Sequence, residues 1–244
     1  MRAMILAAGK GMRLRPLTER VPKPLLEVAG KPMIEHVLDL VARSGIREVV
    51  INLHHLGEQI RQHLANGRAL GLTIHYSVER TLLDTGGALA HARPFLDGQP
   101  FVVINADVYF EGTLRPLIDE HGERGGIVTM LVRSDRDATR RDDVRVDAHS
   151  RVWSILGLGP NKHRWQDLPR YLYASAMVCS PRLFDFIPEG ICSLTRDVLP
   201  RVLAAGEPIY AVCHTGYWRV LDTPADLEAG RREIARRKEQ AGNA

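Results

Sequence analysis

Gly9 and Gly11 close the apolar run Met1 to Ala8, and Lys10, Arg13 and Lys23 are gathered behind them. A strand delivered into a glycine-rich turn brings bare backbone N–H groups up to a phosphate, because both glycines are free to take positive φ and neither carries a blocking side chain. Arg13 adds a fixed fork of donors, Lys23 a point charge, and Pro22 and Pro24 stiffen the segment that carries it. Asp107 is the second candidate. It follows the apolar run Phe101-Val102-Val103-Ile104, where a carboxylate can anchor Mg²⁺ through one oxygen while phosphates and water complete the shell. Without a ligand the same residue reads as a strand-end cap for the next helix. The third candidate is Leu82-Leu83-Asp84-Thr85-Gly86-Gly87-Ala88-Leu89, with Glu79 just upstream. Its glycines would let backbone amides approach a base or ribose, and Glu79 could accept from a guanine edge. A helix N-terminus capped by Asp84 or Thr85 explains the segment equally well.

The elements that must position these residues alternate through the first half. Met4 to Leu6, Val49 to Ile51, Leu72 to Tyr76 and Phe101 to Ile104 read as strands. Helices are predicted over Met33 to Arg43, with Ile34, Val37, Leu38 and Val41 at helical spacing, over Leu56 to Leu64, and from Thr85. Continuous apolar strands between helices predict an α/β fold, a Rossmann-like, mostly parallel sheet covered by helices on both faces. In such sheets ligands bind beyond the carboxyl ends of the strands, where both the glycine loop and Asp107 fall. The second half carries strand patterns at Ile127 to Val132, Val144 to Val146, Val152 to Leu156, Tyr171 to Val178 and Ile209 to Val212, with one helix over Leu194 to Ala204. This predicts a smaller, mixed-sheet lobe that closes one side of the site. A last helix over Ala225 to Lys238 would pack Leu227 and Ile234 on the body. We read residues 1–244 as a single domain, divided into halves 1–125 and 126–244.

Several classes are excluded or disfavoured. A dinucleotide fingerprint needs glycine where Leu14 stands, and no Gly-Lys-Ser/Thr marks a Walker loop, so a nicotinamide oxidoreductase is a remote reading. Three cysteines, Cys179, Cys192 and Cys213, lie far apart and in no metal-ligand spacing. A net charge of +4 is compatible with a polyanionic ligand, but the basic residues are dispersed and aromatics make up only 6%. Nucleic acid is therefore not an expected partner. No apolar run approaches a membrane span, so the expectation is no membrane association and a cytoplasmic location. Oligomeric state is not legible.

The first loop, Leu6-Ala7-Ala8-Gly9-Lys10-Gly11-Met12-Arg13-Leu14-Arg15-Pro16-Leu17-Thr18 followed by Pro22-Lys23-Pro24-Leu25, resembles the signature of the sugar-1-phosphate nucleotidyltransferases. So do Ser180-Pro181-Arg182-Leu183-Phe184, Thr195-Arg196-Asp197-Val198-Leu199-Pro200 and Gly216-Tyr217-Trp218-Arg219-Val220-Leu221-Asp222-Thr223-Pro224, and the matches cover nearly the whole chain. The resemblance extends to guanylyltransferases of mannose 1-phosphate and uridylyltransferases of N-acetylmuramate 1-phosphate. It implies transfer of a nucleoside monophosphate from an NTP, GTP or UTP, to a sugar 1-phosphate with release of pyrophosphate, and Mg²⁺ as cofactor. Arg13 and Lys23 would be catalytic. Leu6, Ala7, Ala8, Gly9, Gly11, Met12, Glu79, Thr85, Gly86, Gly87 and Asn105 would meet the nucleotide. Asp107, Ser175, Thr195 and Trp218 would meet the sugar, with residues 1–125 the nucleotide half and 126–244 the sugar half. Asp107 and Asp222 would hold the metal.

Departures from the pattern matter as much. The family usually places a metal-binding aspartate two residues after the tryptophan and a glycine two further on, where this chain has Val220 and Asp222. Ala106 stands for a usual glycine, Thr195 for a frequent glutamate and Met12 for a usual threonine. Two accounts follow: an active transferase in which Asp222 replaces the missing carboxylate, or a catalytically impaired homologue that binds a nucleotide or sugar phosphate and regulates. Alternation in an extended segment places 220 and 222 on one face, so the replacement is geometrically open.

Overall fold

The computed structural model describes residues 1–134 and 143–242. In chain order its elements are β1 (Arg2–Leu6), β2 (Glu27–Val28), β3 (Lys31–Pro32), α1 (Met33–Arg43), β4 (Glu48–Leu53), α2 (Gly57–Leu64), β5 (Thr73–Val78), α3 (Asp84–Leu96), β6 (Phe101–Asn105), β7 (Val108–Phe110), α4 (Arg115–Arg124), β8 (Val128–Arg133), β9 (Asp143–Val146), β10 (Val152–Ile155), β11 (Arg170–Cys179), α5 (Leu199–Ala204), β12 (Ile209–Cys213), β13 (Trp218–Val220) and α6 (Pro224–Gly242). Helix α1 has the predicted bounds, and Ile34, Val37, Leu38 and Val41 are all buried on one face.

Strands β6, β1, β4 and β5 lie side by side and parallel, the order a run of βα crossovers produces. Their carboxyl ends deliver Asn105, Leu6, Leu53 and Val78 to a common edge. The expected mixed strands of the second half are present, and they continue the same nine-stranded sheet: β11 pairs antiparallel with β6, β8 and β9, while β12 runs parallel to β8. Strand β11 can serve three neighbours because its register shifts between Tyr173 and Met177. At that irregularity Ser175 takes φ +62, a conformation a side-chain-bearing residue holds only when its surroundings impose it.

Two large cores pack the two faces of the sheet. A third, smaller core bears directly on the site. Leu227 and Ile234 of α6 meet Leu14 of the glycine loop, Leu26 and Val28, Met33, and Leu221. Burying side chains of this size stabilises by roughly 2 kcal/mol each, so the last helix fastens the glycine loop and the neighbour of Asp222 to one another.

Helix α4 escaped the sequence reading because it is polar almost throughout, with only Leu117 and His121 buried. The His121 ring meets the hydroxyl of the fully buried Thr129 at 3.0 Å, and burial lowers its pKa from the ordinary 6.5. Below that value the unfolded chain binds a proton that the folded one resists, so this contribution to stability is complete above pH ~6.5 and is lost as pH falls. His36, also lowered chiefly by burial, acts in the same direction. The melting temperature is expected to drop between about pH 7.5 and pH 5.5, and less steeply in His121→Gln, as read by calorimetric scans across that range.

Candidate functional site

The glycine loop leaves β1 with its first amide engaged: Ala7 N donates to the side-chain oxygen of Asn52 at 2.7 Å. Asn52 in turn donates to Glu79 at 2.7 Å, and the other Glu79 oxygen accepts from Leu83 N at 3.0 Å. Both oxygens of a carboxylate that is only 3% exposed are thus held within the protein. Glu79 is a brace between the first loop and the start of α3. Asn52 was missed, although one amide side chain in the otherwise apolar run 49–53 of β4 was a readable signal.

Only Gly11 of the two loop glycines takes positive φ, at +60; Gly9 does not, and a side chain there would meet open space. The turn at Gly11 is pinned by the Thr18 hydroxyl, which donates to the Gly11 carbonyl at 2.9 Å, and the Thr18 carbonyl is held by the His55 ring at 2.8 Å. Ala8 is buried beside this turn, and Met12 is more than half exposed on its outer side.

Gly86 and Gly87 also have an internal part: their amides donate to the Cys192 carbonyl at 2.8 and 3.2 Å and clamp the segment before α5. The glycines are required by that close approach: a Cβ on Gly87 would lie 2.6 Å from the Gly190 carbonyl oxygen, and one on Gly86 2.8 Å from Cys192 Sγ. Gly87→Ala is expected to lower stability by about 2 kcal/mol through overpacking against backbone, measured by urea denaturation. Thr85 completes the clamp, its hydroxyl accepting from Leu194 N at 2.8 Å.

These supports surround a cavity of about 940 Å³ beyond the strand ends. Of the predicted residues, Leu6, Arg13, Thr85, Asn105, Asp107, Ser175, Thr195, Trp218 and Asp222 line it, while Ala7, Ala8, Gly9, Gly11, Met12, Lys23, Glu79, Gly86 and Gly87 do not. Arg196, paired with Asp84 at 3.0 Å, and Tyr173 also line it and were not foreseen. Trp218 is oriented by its indole N–H, which donates to the Ala174 carbonyl at 3.0 Å, next to the Ser175 kink.

The charges converge on Lys23, which is only 8% exposed. Its ammonium donates to Asp107 at 2.5 Å and to Asp222 at 2.8 Å, and Arg13 pairs with the other oxygen of Asp222. The backbone explains the meeting. Strands β7 and β13 form an antiparallel ribbon in which Val220 faces Val108, so Asp107 lies just before one strand and Asp222 just after the other. Leu221 N closes the join by donating to the Asp107 carbonyl at 2.9 Å. Thr223 and Asp226 then cap α6 reciprocally, fixing the residue before them. Val220 and Asp222 both line the cavity.

Among the described residues no three His, Cys, Asp or Glu side chains gather as a metal centre. Asp107 and Asp222 nevertheless suit Mg²⁺, which takes one or two carboxylates and completes its shell with phosphates and water. Asp107 Oδ1 is buried without a hydrogen-bond partner, an acceptor left over for such a cation.

A parallel sheet with a glycine turn, two cations and two carboxylates at its strand ends belongs to a phosphate-handling α/β protein. The chain belongs to the nucleotidyl transferase family, whose model matches residues 2–237. It is 33% identical over 237 residues to the mannose-1-phosphate guanylyltransferase of Mycobacterium tuberculosis, covering 96% of this chain and 64% of that protein. It is 53% identical over 109 residues to the N-acetylmuramate alpha-1-phosphate uridylyltransferase of Neisseria meningitidis serogroup B, covering 44% of this chain and 47% of that one. The chain therefore spans less than two thirds of the length of either relative. In fold it matches a Bacillus anthracis protein assigned as a glucose-1-phosphate thymidylyltransferase, with a TM-score of 0.82, 23% identity and 96% of each chain covered. Among the described residues no helix is long and apolar enough to cross a membrane.

Proposed function

We propose that the protein transfers a nucleoside monophosphate from an NTP, GTP or UTP, to a sugar 1-phosphate. An oxygen of the sugar 1-phosphate attacks the α-phosphorus, the bond from that phosphorus to the bridging oxygen of the β-phosphate breaks, and pyrophosphate leaves with the electron pair. The reaction needs alignment and charge neutralisation more than an acid or base. The observation that carries the reading is Lys23 bridging Asp107 and Asp222, with Arg13 on Asp222, at the edge of the cavity. Arg13 is two thirds exposed and free to swing onto the polyphosphate, while Lys23 supplies a fixed positive charge. Asp107 and Asp222 would hold Mg²⁺, which when bound neutralises phosphate charge. Ser175, Thr195 and Trp218 form the wall on which a sugar would rest. This reading places the reaction in the cytoplasm.

The test is pyrophosphate release with Mg²⁺ over a grid of NTPs and sugar 1-phosphates, with Asp107→Asn as blank. Release with one pair, lost in the blank, supports transfer and names the substrates. Silence across the grid, in protein that still binds a nucleotide by calorimetry, supports the impaired regulatory homologue.

A further inference from the structure

Asp84 and Arg196 meet on the wall of the main cavity, and the transfer reaction as drawn gives neither of them a part. Asp84 is the first residue of α3, in the parallel half that carries the glycine loop, while Arg196 comes from the segment before α5. Arg196 Nη2 donates to Asp84 Oδ2 at 3.0 Å, and Asp84 Oδ1 accepts from Thr85 N at 2.6 Å.

Folding alone does not account for this pair. Asp84 takes φ +59, a left-handed conformation that glycine holds at lower cost. It does not cap α3 in exchange, since the N-cap residue is Leu83. Nor does the ion pair stabilise much: the side chains of Arg196 and Asp84 are 66% and 34% exposed, and pairs in contact with water contribute little. A strained residue with a side chain on a cavity wall is the pattern of a group kept for a ligand. The backbone beneath the pair is fixed as well. Gly86 and Gly87 bond to the Cys192 carbonyl, and the Thr85 hydroxyl accepts from Leu194 N, so the two segments that carry Asp84 and Arg196 are tied together.

The pair is also unsaturated. A carboxylate can accept about four hydrogen bonds and a guanidinium can donate about five. What remains is an acceptor beside a donor, both held in place and open to the cavity. That array complements a lactam edge, a ring N–H next to a carbonyl, which guanine carries at N1 and O6 and uracil at N3 and O4. Adenine and cytosine present a bare ring nitrogen beside an amino group. Their lone pair would face the carboxylate and their amino group the guanidinium, so both contacts become unfavourable.

We propose that Asp84 and Arg196 select the nucleobase, accepting guanine or uracil and rejecting adenine and cytosine: Asp84 accepts from the ring N–H, and Arg196 donates to the adjacent carbonyl oxygen. The selection rests on the reading of the main cavity as the nucleotide site of the transfer reaction.

Calorimetric titration with GTP, UTP, ATP and CTP, each with Mg²⁺, tests it without requiring turnover. The wild-type protein is expected to bind GTP or UTP about tenfold more tightly than ATP and CTP, and the tighter of the two names the base. Asparagine suits the same φ and presents a donor and an acceptor alike, so in Asp84→Asn the preference should narrow to about twofold. Asp84→Gly removes the acceptor and the strain together, so the preference should vanish while the melting temperature holds or rises. ATP or CTP binding the wild type as tightly as GTP and UTP, binding of none of the four, or a preference that persists in either variant overturns the proposal. Selective, Asp84-dependent binding without pyrophosphate release leaves the selection standing and removes the transfer reading. Equal release of pyrophosphate from all four NTPs does the reverse.

Discussion

Asp222→Ala is expected to lower kcat/KM by about a thousandfold, the scale on which a charged group aligned with a reacting phosphate acts. Asp222→Asn should fall as far, because it keeps the shape and removes only the charge. Val220→Asp is not expected to rescue either variant. Lys23 and Arg13 both reach Asp222, and a carboxylate placed at 220 would sit in the cavity without those partners. The side chain of Asp222 is about one-fifth exposed, so the folded state should tolerate its loss, and unchanged melting temperatures would separate a chemical effect from unfolding. Steady-state pyrophosphate release by the wild type, the two Asp222 variants and the two doubles with Val220→Asp makes the comparison. A double variant Val220→Asp/Asp222→Ala with wild-type turnover would show that the usual family position suffices and that Asp222 has no special part.

What could be read from the chain follows from how local each signal is. Helix α1 and strands β1, β4, β5 and β6 were legible because their apolar spacing is strong and each buries one stripe or both faces. The convergence of Asp107, Lys23 and Asp222 was only partly legible. Motif order placed the three residues in one site, but the contact depends on the short ribbon of β7 and β13, whose three-residue strands leave no periodic trace. The internal bonds of other site candidates were illegible for a related reason. Glu79, Gly86 and Gly87 look the same in sequence whether their polar groups face a ligand or a neighbouring loop, and only the position of Asn52 and Cys192 in space decides. Ser175 shows the converse: nothing in Tyr171 to Val178 announces a kink, because it arises from one strand having to pair with three others.

Lys23→Met should lose activity and stability together, for separable reasons. The ammonium is the one positive charge among the described ion pairs that bridges both carboxylates, and its replacement leaves Asp107 and Asp222 with Arg13, on Asp222, alone to compensate. Removing one partner from a fully buried ion pair costs about 3–5 kcal/mol, and with the two carboxylates roughly a quarter exposed to water a loss of about 2 kcal/mol is expected by urea denaturation. Lys23→Arg should not restore turnover, since a planar guanidinium cannot take the place of a compact ammonium between two prolines, at a position that is 8% exposed. The carboxylates freed in Lys23→Met provide a further readout. With no ammonium between them they are left to attract a divalent cation directly, so millimolar Mg²⁺ should raise the melting temperature of Lys23→Met more than that of the wild type. Equal responses would mean that Asp107 and Asp222 do not converge on one cation, and the metal would then rest on Asp107 and the phosphates alone.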